Sequence, residues 1–275
     1  MSIFKGAFFA LFFLFAFSLN GFSANKDNAD YKSVLQKIIP PTINYSVKVV
    51  KNSELKGFDK LDISIKRNKM GFISHRYLWV SKDKKNIVPI VLKVGANGRI
   101  ARVGPSKSIE RFPIDVAWFY KLVNSMPKDL RKSYGKGRSV YMLSDPYCPY
   151  CKRELKKLTA LAKEDKIKLH IIPFNIHGKK SEEASVVFFK IEKEKGLLAA
   201  INAVEGASYK NVDNIVQKHQ KDIKKLNKSY KPILEKIEKT ALKHGIKGTP
   251  VMIIKTSKAK GYLIVGISDI TNYIK

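Results

Sequence analysis

Cysteine is almost absent from this chain: 275 residues contain two, Cys148 and Cys151. With no third thiol, no disulfide can join distant segments, which excludes a disulfide-rich scaffold. A bridge between the two would close a loop of four residues, and so short a loop constrains an unfolded chain very little. Zinc is poorly served as well. A structural site takes four ligands, usually with a second close pair, and His75, His170, His177, His219 and His244 form none. The expectation is no metal and no cofactor beyond the two thiols. His170 alternates with apolar residues and reads as structural, whereas His75, His219 and His244 read as surface residues. Arginine is scarce too: eight of the 53 basic residues. Phosphate and base-edge recognition favours the bidentate Arg fork. The net charge of +30, from 53 basic against 23 acidic residues, therefore reads as a chain-wide lysine bias and not as a nucleic-acid surface. Attraction to anionic surfaces remains a consequence of that charge.

Long apolar runs are missing except at the start. Lys5 is followed by residues 6–19, which carry no charge and are rich in Phe, Leu and Ala, and then by the small residues Gly21, Ser23 and Ala24. This is the pattern of a secretory signal at 1–24, with an uncleaved anchor as the alternative. The run falls short of the roughly 20 residues that span a bilayer. The expectation is an exported body.

Against this background the spacing Cys148-Pro149-Tyr150-Cys151 stands out. Three positions apart at the start of a helix, both sulfurs fall on one face, close enough for a short disulfide. The uncharged run 139–143 predicts a central strand before them, and Pro149 suits a first helical turn. Leu155, Leu158, Leu161 and Ala162 give that helix an apolar stripe. A strand at 167–173 completes a βαβ unit. Cys148 then sits at a helix N-terminus, where unpaired N–H groups favour a thiolate.

Upstream, residues 30–39 have helical spacing up to Pro40-Pro41. Alternation predicts strands around 43–49, 61–65, 77–80 and 88–94, with a tight turn at Asn97-Gly98. This unit, 25–105, reads as α+β and structural in role. Residues 106–135 read as a linker: a helix with Ile114, Ala117, Trp118, Lys121, Leu122 and Ser125 on one side, acting as a semi-rigid spacer, then a flexible Gly135-Lys136-Gly137 junction. Helices fill 181–204, 212–218 and 223–242, the last ending at Gly245.

The run Asp145-Pro146-Tyr147-Cys148-Pro149-Tyr150-Cys151-Lys152 after an apolar strand, with Gly248-Thr249-Pro250-Val251 downstream, resembles the DsbC/DsbG family of periplasmic thiol:disulfide isomerases, closest to the DsbG type. The resemblance covers about 136–275; residues 25–135 match in layout only. It implies an α+β protein: a thioredoxin-fold catalytic domain at 136–275 with a helical insertion at about 181–244, a small cystatin-like dimerisation unit at 25–105, and a linker helix. Cys148 would attack a client disulfide and Cys151 would resolve the adduct. Thr249 would offer backbone hydrogen bonds to the client, beside a cis Pro250 facing the dithiol; Pro149 and Tyr150 form the active-site loop. Implied partners are exported proteins with disulfides or free thiols, a membrane redox partner that resets the dithiol, and a second copy of the chain, with the periplasm as location. The extra structural cysteine pair of the DsbC type is absent. The residues leave open isomerase or reductase, a dimeric oxidase, and a holdase.

Overall fold

The computed structural model describes residues 29–50, 53–105 and 108–275; the leader expected at 1–24 lies outside them. The chain divides into two units, Met1–Arg67 with Phe72–Glu110, and Asn68–Gly71 with Arg111–Lys275.

In the first unit, helix α1 (Ala29–Leu35) precedes β1 (Tyr45–Val50), β2 (Phe58–Arg67), β3 (Phe72–Ser81) and β4 (Ile87–Val88). The strands form an antiparallel sheet in sequence order. Alternation places Leu61 and Ile63 of β2, with Leu78 and Val80 of β3, on the face that Tyr31, Val34 and Leu35 of α1 cover. The helix expected at 30–39 stops at Leu35. Past it the Gln36 N–H still bonds four residues back, whereas the Lys37 and Ile38 amides bond three back in tight turns, and Pro40, which disfavours the α region for Ile39, bars the helix from continuing. The strand expected at 88–94 is split. Pro89 has no N–H for a ladder, so β4 stays on the sheet while β5 (Leu92–Val94) pairs with β6 (Ile100–Arg102) in a hairpin. The Asn97-Gly98 turn closes it, Gly98 taking φ +73°. His75, read as a surface residue, is half-buried: on β3 its Nδ1 lies 3.3 Å from the Asp62 carboxylate. The chain leaves this unit through β7 (Ile109–Arg111).

The second unit is built on β8 (Ile114–Asp115), β9 (Arg138–Ser144), β10 (Ile167–Pro173), β11 (Val251–Lys255) and β12 (Lys260–Val265), in the order β10-β9-β11-β12-β8. β9 and β10 are parallel, joined by α3 (Pro149–Lys163); the other pairs are antiparallel. The expected βαβ unit is thus present, and β9 is internal to the sheet.

Two readings of the connector are corrected. Helix α2 (Ala117–Asn124) is no free spacer: Phe119, Tyr120, Leu122 and Val123 are buried in the core of this unit. Phe119 meets Tyr141 of β9 edge-on at 5.3 Å. Its inner face is therefore rotated from the one expected, and Trp118 stacks on His244 instead, with centroids 4.1 Å apart. Gly135 and Gly137 form no flexible junction either. Both have positive φ, and a Cβ on Gly135 would lie 2.4 Å from the Ala162 carbonyl oxygen. These glycines let the backbone press against the end of α3, beside the Tyr134–Leu169 bridge that fixes the strand edge.

The insertion comprises α4 (Lys179–Lys195), α5 (Leu197–Ala200), a π-helical turn (Ile201–Glu205), α6 (Tyr209–Lys218) and α7 (Gln220–Lys243). Gly245, with φ +79°, ends it. On α4, Glu192 is fully buried and its Oε1 accepts a hydrogen bond from the Lys132 N–H at 2.9 Å. Burial pushes its carboxyl up from the ordinary 4.5 to about 8. Between these values the folded state keeps a proton that the unfolded chain has released, so stability falls as pH rises, by about 1.4 kcal/mol per unit. Glu192→Gln is expected to remove that slope's contribution, measured as a smaller loss in urea denaturation between pH 5 and 8. An unchanged slope would count against a protonated Glu192. His170 shows the opposite sign: burial pushes its pKa down to about 4, and the neutral ring stacks on Tyr141 at 4.3 Å.

Candidate functional site

β9 delivers Ser144 and Asp145 to the end of the sheet, and Pro146-Tyr147 turns the chain into α3. The turn closes with the Cys148 N–H donating to the Asp145 carbonyl at 3.0 Å. Cys148 is the N-cap of α3, in extended conformation (φ −81°, ψ 118°), and Pro149 opens the first turn. Both cysteines are free thiols. Cys151 lies one turn inside.

Facing them is the Thr249–Pro250 bond, which is cis. The Cys148 Sγ lies 3.6 Å from the Thr249 carbonyl oxygen, to which it donates. Pro250 is fixed from behind by its own carbonyl, which accepts the Gly266 N–H at 2.9 Å. Cys148, Cys151, Thr249 and Pro250, separated by about a hundred positions in sequence, are thus one constellation. Tyr150 points outward, 54 % exposed, with the Arg153 guanidinium 5.1 Å from its ring centroid.

Attack by Cys148 on a client requires a reachable sulfur, yet the dithiol is largely enclosed. Cys148 is 3 % exposed and Cys151 0 %. Cys148, its Sγ against the Thr249 carbonyl, keeps a trace of solvent exposure as a residue, and Cys151 keeps none. The order of access is the one attack and resolution require, but the opening is narrow.

Beneath the dithiol is a set of buried polar groups that sequence reasoning did not assign. Glu205, from the π-helical turn, is fully buried; its Oε2 accepts from Ser144 Oγ at 2.5 Å, and among the described residues its Oε1 has no hydrogen-bond partner. Burial raises its carboxyl to about 7 against the opposing Ser144 bond. Burial pushes the Cys151 thiol well above the usual thiol range, and the Glu205 charge pushes the same way. Lys152, one residue past Cys151, turns inward and donates to the carbonyls of Glu205 (3.2 Å) and Ala207 (2.6 Å). Asp145 is fully buried and accepts from the N–H groups of Tyr147 (2.8 Å), Ile176 (2.7 Å) and His177 (3.2 Å) and from Ser181 Oγ (2.9 Å). The His177 ring Nδ1 adds a contact at 3.1 Å. Asp145 therefore clamps the cysteine loop to the start of the insertion. Tyr147 donates to Asp213 of α6 at 2.6 Å. A sequence signal existed for Glu205: it is the lone acid ending the charge-free run 197–204. Among the described residues no group of three His, Cys, Asp or Glu side chains is placed to hold a metal.

The arrangement holds one slightly open thiol, one closed thiol and a carboxyl able to change protonation near neutral pH. Residues 126–275 match the family described as Thioredoxin-like domain. No curated protein matches the sequence. Among solved structures, the catalytic domain of Proteus mirabilis ScsC is 20% identical over 57% of this chain and 92% of its own, with a TM-score of 0.45. The thiol-disulfide exchange protein alpha-DsbA2 from Wolbachia pipientis is 20% identical over 57% of this chain and 89% of its own, at 0.44. DsbG of Helicobacter pylori is 20% identical over 84% of this chain and all of its own, at 0.36. These identities and scores are low, and the family assignment rests on the sequence match.

Proposed function

The chain belongs to the thioredoxin-like domain family, and from that premise we propose that it is a thiol:disulfide exchange protein of the DsbC/DsbG type, isomerising or reducing mis-paired disulfides in exported proteins. One observation carries the reading: Cys148, at the N-terminus of α3, lies 3.6 Å from the Thr249 carbonyl beside a cis Pro250. The proposed partners are exported proteins with disulfides or free thiols, a membrane redox partner that resets the dithiol, and a second copy of the chain. The proposed location is the periplasm. Among the described residues no helix is long and apolar enough to cross a membrane.

In the first step the Cys148 thiolate attacks one sulfur of a client disulfide; that S–S bond breaks, and the displaced client thiolate takes up a proton. A mixed disulfide joins Cys148 to the client. It leaves by one of two routes. A client thiolate attacks the client sulfur of the adduct, giving a new pairing and returning Cys148 unchanged. Alternatively Cys151 attacks the Cys148 sulfur, releasing the reduced client and forming the Cys148–Cys151 disulfide. The second route needs the Cys151 proton to leave, and the Glu205 carboxylate, whose Oε1 has no partner among the described residues, is the buried base assigned to accept it.

Cys151→Ala blocks the second route. The variant is expected to accumulate client adducts through Cys148, detected after acid quench and alkylation as bands lost on reduction. No adduct, with Cys148 still alkylatable, would sink the assignment. The resting redox form in cells sets direction: a reduced dithiol agrees with isomerase or reductase, and an oxidised one makes the chain an oxidase.

A further inference from the structure

Helix α7 carries a second feature, independent of the dithiol. Ile223, Tyr230, Leu234, Ile237 and Ala241 are buried along one side. Eight lysines lie between positions 221 and 243 inclusive, all exposed. At about 100° per residue they fall within an arc of about 140° opposite the buried stripe, in a row about 33 Å long at 1.5 Å per residue. Three acids, Asp222, Glu235 and Glu238, share the exposed surface, leaving five positive charges in excess.

What sets α7 apart is that the chain's lysine excess is gathered on one helix face. On α4 four of the five lysines have acidic partners: Lys179 with Glu183, Lys180 with Asp213, Lys190 with Glu194 and Lys193 with Asp129. On α7, among the described residues, Lys231 alone has an acidic ion-pair partner, Glu182 at 3.1 Å. The ridge is therefore a lysine-rich row, interrupted inside its arc by Glu235, on a helix whose other side is locked in the core.

We propose that this ridge docks the protein on an anionic phospholipid surface. Charge complementarity sets the sign of the occupant, and the ridge's make-up sets its kind. A protein partner is held by buried aromatic or Arg anchors in a dry centre. The ridge contains no arginine, and Leu242, 47 % exposed, is the large apolar side chain beside it. Lysines act as hydrated point charges without fixed geometry. Such a row suits lipid headgroups, which move laterally to meet it, and attraction to an anionic leaflet grows with each Lys near the surface. Binding is peripheral and reversible, because the apolar face of α7 is already used. Its range is short, about 10 Å at 0.1 M salt.

The test uses the full mature chain and sedimentation with vesicles, either pure phosphatidylcholine or with about one-third phosphatidylglycerol. The wild type is expected to bind the anionic vesicles at least tenfold more tightly and to be released by high salt. The triple variant Lys225→Glu/Lys228→Glu/Lys239→Glu turns the excess of five positive charges on α7 into one negative, and is expected to lose that preference with its exchange activity intact. The Gln version at the same positions gives an intermediate affinity and guards against misfolding by the reversed charges. Equal binding by wild type and triple variant, or no preference for anionic vesicles, overturns the proposal. Tighter binding to polyglutamate than to the anionic vesicles also overturns it, in favour of an acidic protein.

Discussion

Cys148→Ala is expected to abolish disulfide exchange, by roughly a thousandfold or more, because no other residue can form the mixed disulfide. Cys151 cannot substitute. It is fully buried, and burial holds its thiol in the protonated form, whereas the attacking species is the thiolate. The fold is expected to survive. The change removes one sulfur from a position that keeps slight solvent contact, and that sulfur's polar partner, the Thr249 carbonyl, is a backbone group. A small truncation of this kind costs about 1 kcal/mol. Refolding of a scrambled disulfide protein, with reduction of an insulin-type substrate alongside, measures the loss. The same variant separates chemistry from binding. If it suppresses client aggregation as well as the wild type and all cellular function persists, the thiols are incidental and the chain is a holdase. Retained exchange activity would remove Cys148 from the mechanism altogether. The narrow opening at Cys148 bears on rate: a client must enter beside the cis-proline edge, so alkylation of Cys148 is expected to be slower than that of an exposed thiol and faster than that of Cys151.

Much of this site was legible because its elements are local. Strand, turn, Cys-Pro-Tyr-Cys and helix occupy one stretch of chain, and each has its own signal: an uncharged β run, a proline at the first helical position, a stripe at three-four spacing. Thr249-Pro250 is distant in sequence, and only the resemblance to a known family brought it to the dithiol. What stayed hidden depends on tertiary neighbours. Gly135 and Gly137 read as a hinge because glycine permits both mobility and close approach; the carbonyls of Ala162, Ile167 and Lys166 at the missing Cβ positions decide for approach. Helix α2 read as a spacer because its apolar residues are spread around it, and contact with Tyr141 on β9 selects the face that is buried. Pro89 was inside a run that alternated well enough to read as one strand, and its missing N–H divides that run between two sheets. Glu205 is the hardest case: the charge-free run it ends sets it apart in the sequence, but only folding places that acid near Cys151 and gives it a role.

Asp145→Ala is the second large effect, and it acts on the frame of the site. The Asp145 carboxylate is sealed from solvent and receives three backbone N–H groups and the Ser181 hydroxyl. Hydrogen bonds to a charged acceptor contribute about 1.5–3 kcal/mol each, but these share one carboxylate and do not add. Removing it leaves several donors without a partner in a dry setting, and the expected loss is on the order of 3–5 kcal/mol. The damage is directional. Tyr147 immediately precedes Cys148, so the freed loop no longer holds the sulfur against the Thr249 carbonyl, and exchange falls even in molecules that remain folded. Asp145→Asn separates the two effects. It keeps the side-chain shape and one acceptor oxygen, but turns an NH2 group toward donors, so it is expected to fall between alanine and wild type in stability and rate. Urea denaturation gives the first quantity, and exchange kinetics below the unfolding transition give the second. An alanine variant within about 1 kcal/mol of wild type, with unchanged exchange kinetics, would mean that water or a shifted neighbour fills the carboxylate's place, and the clamp would then have no part in positioning Cys148.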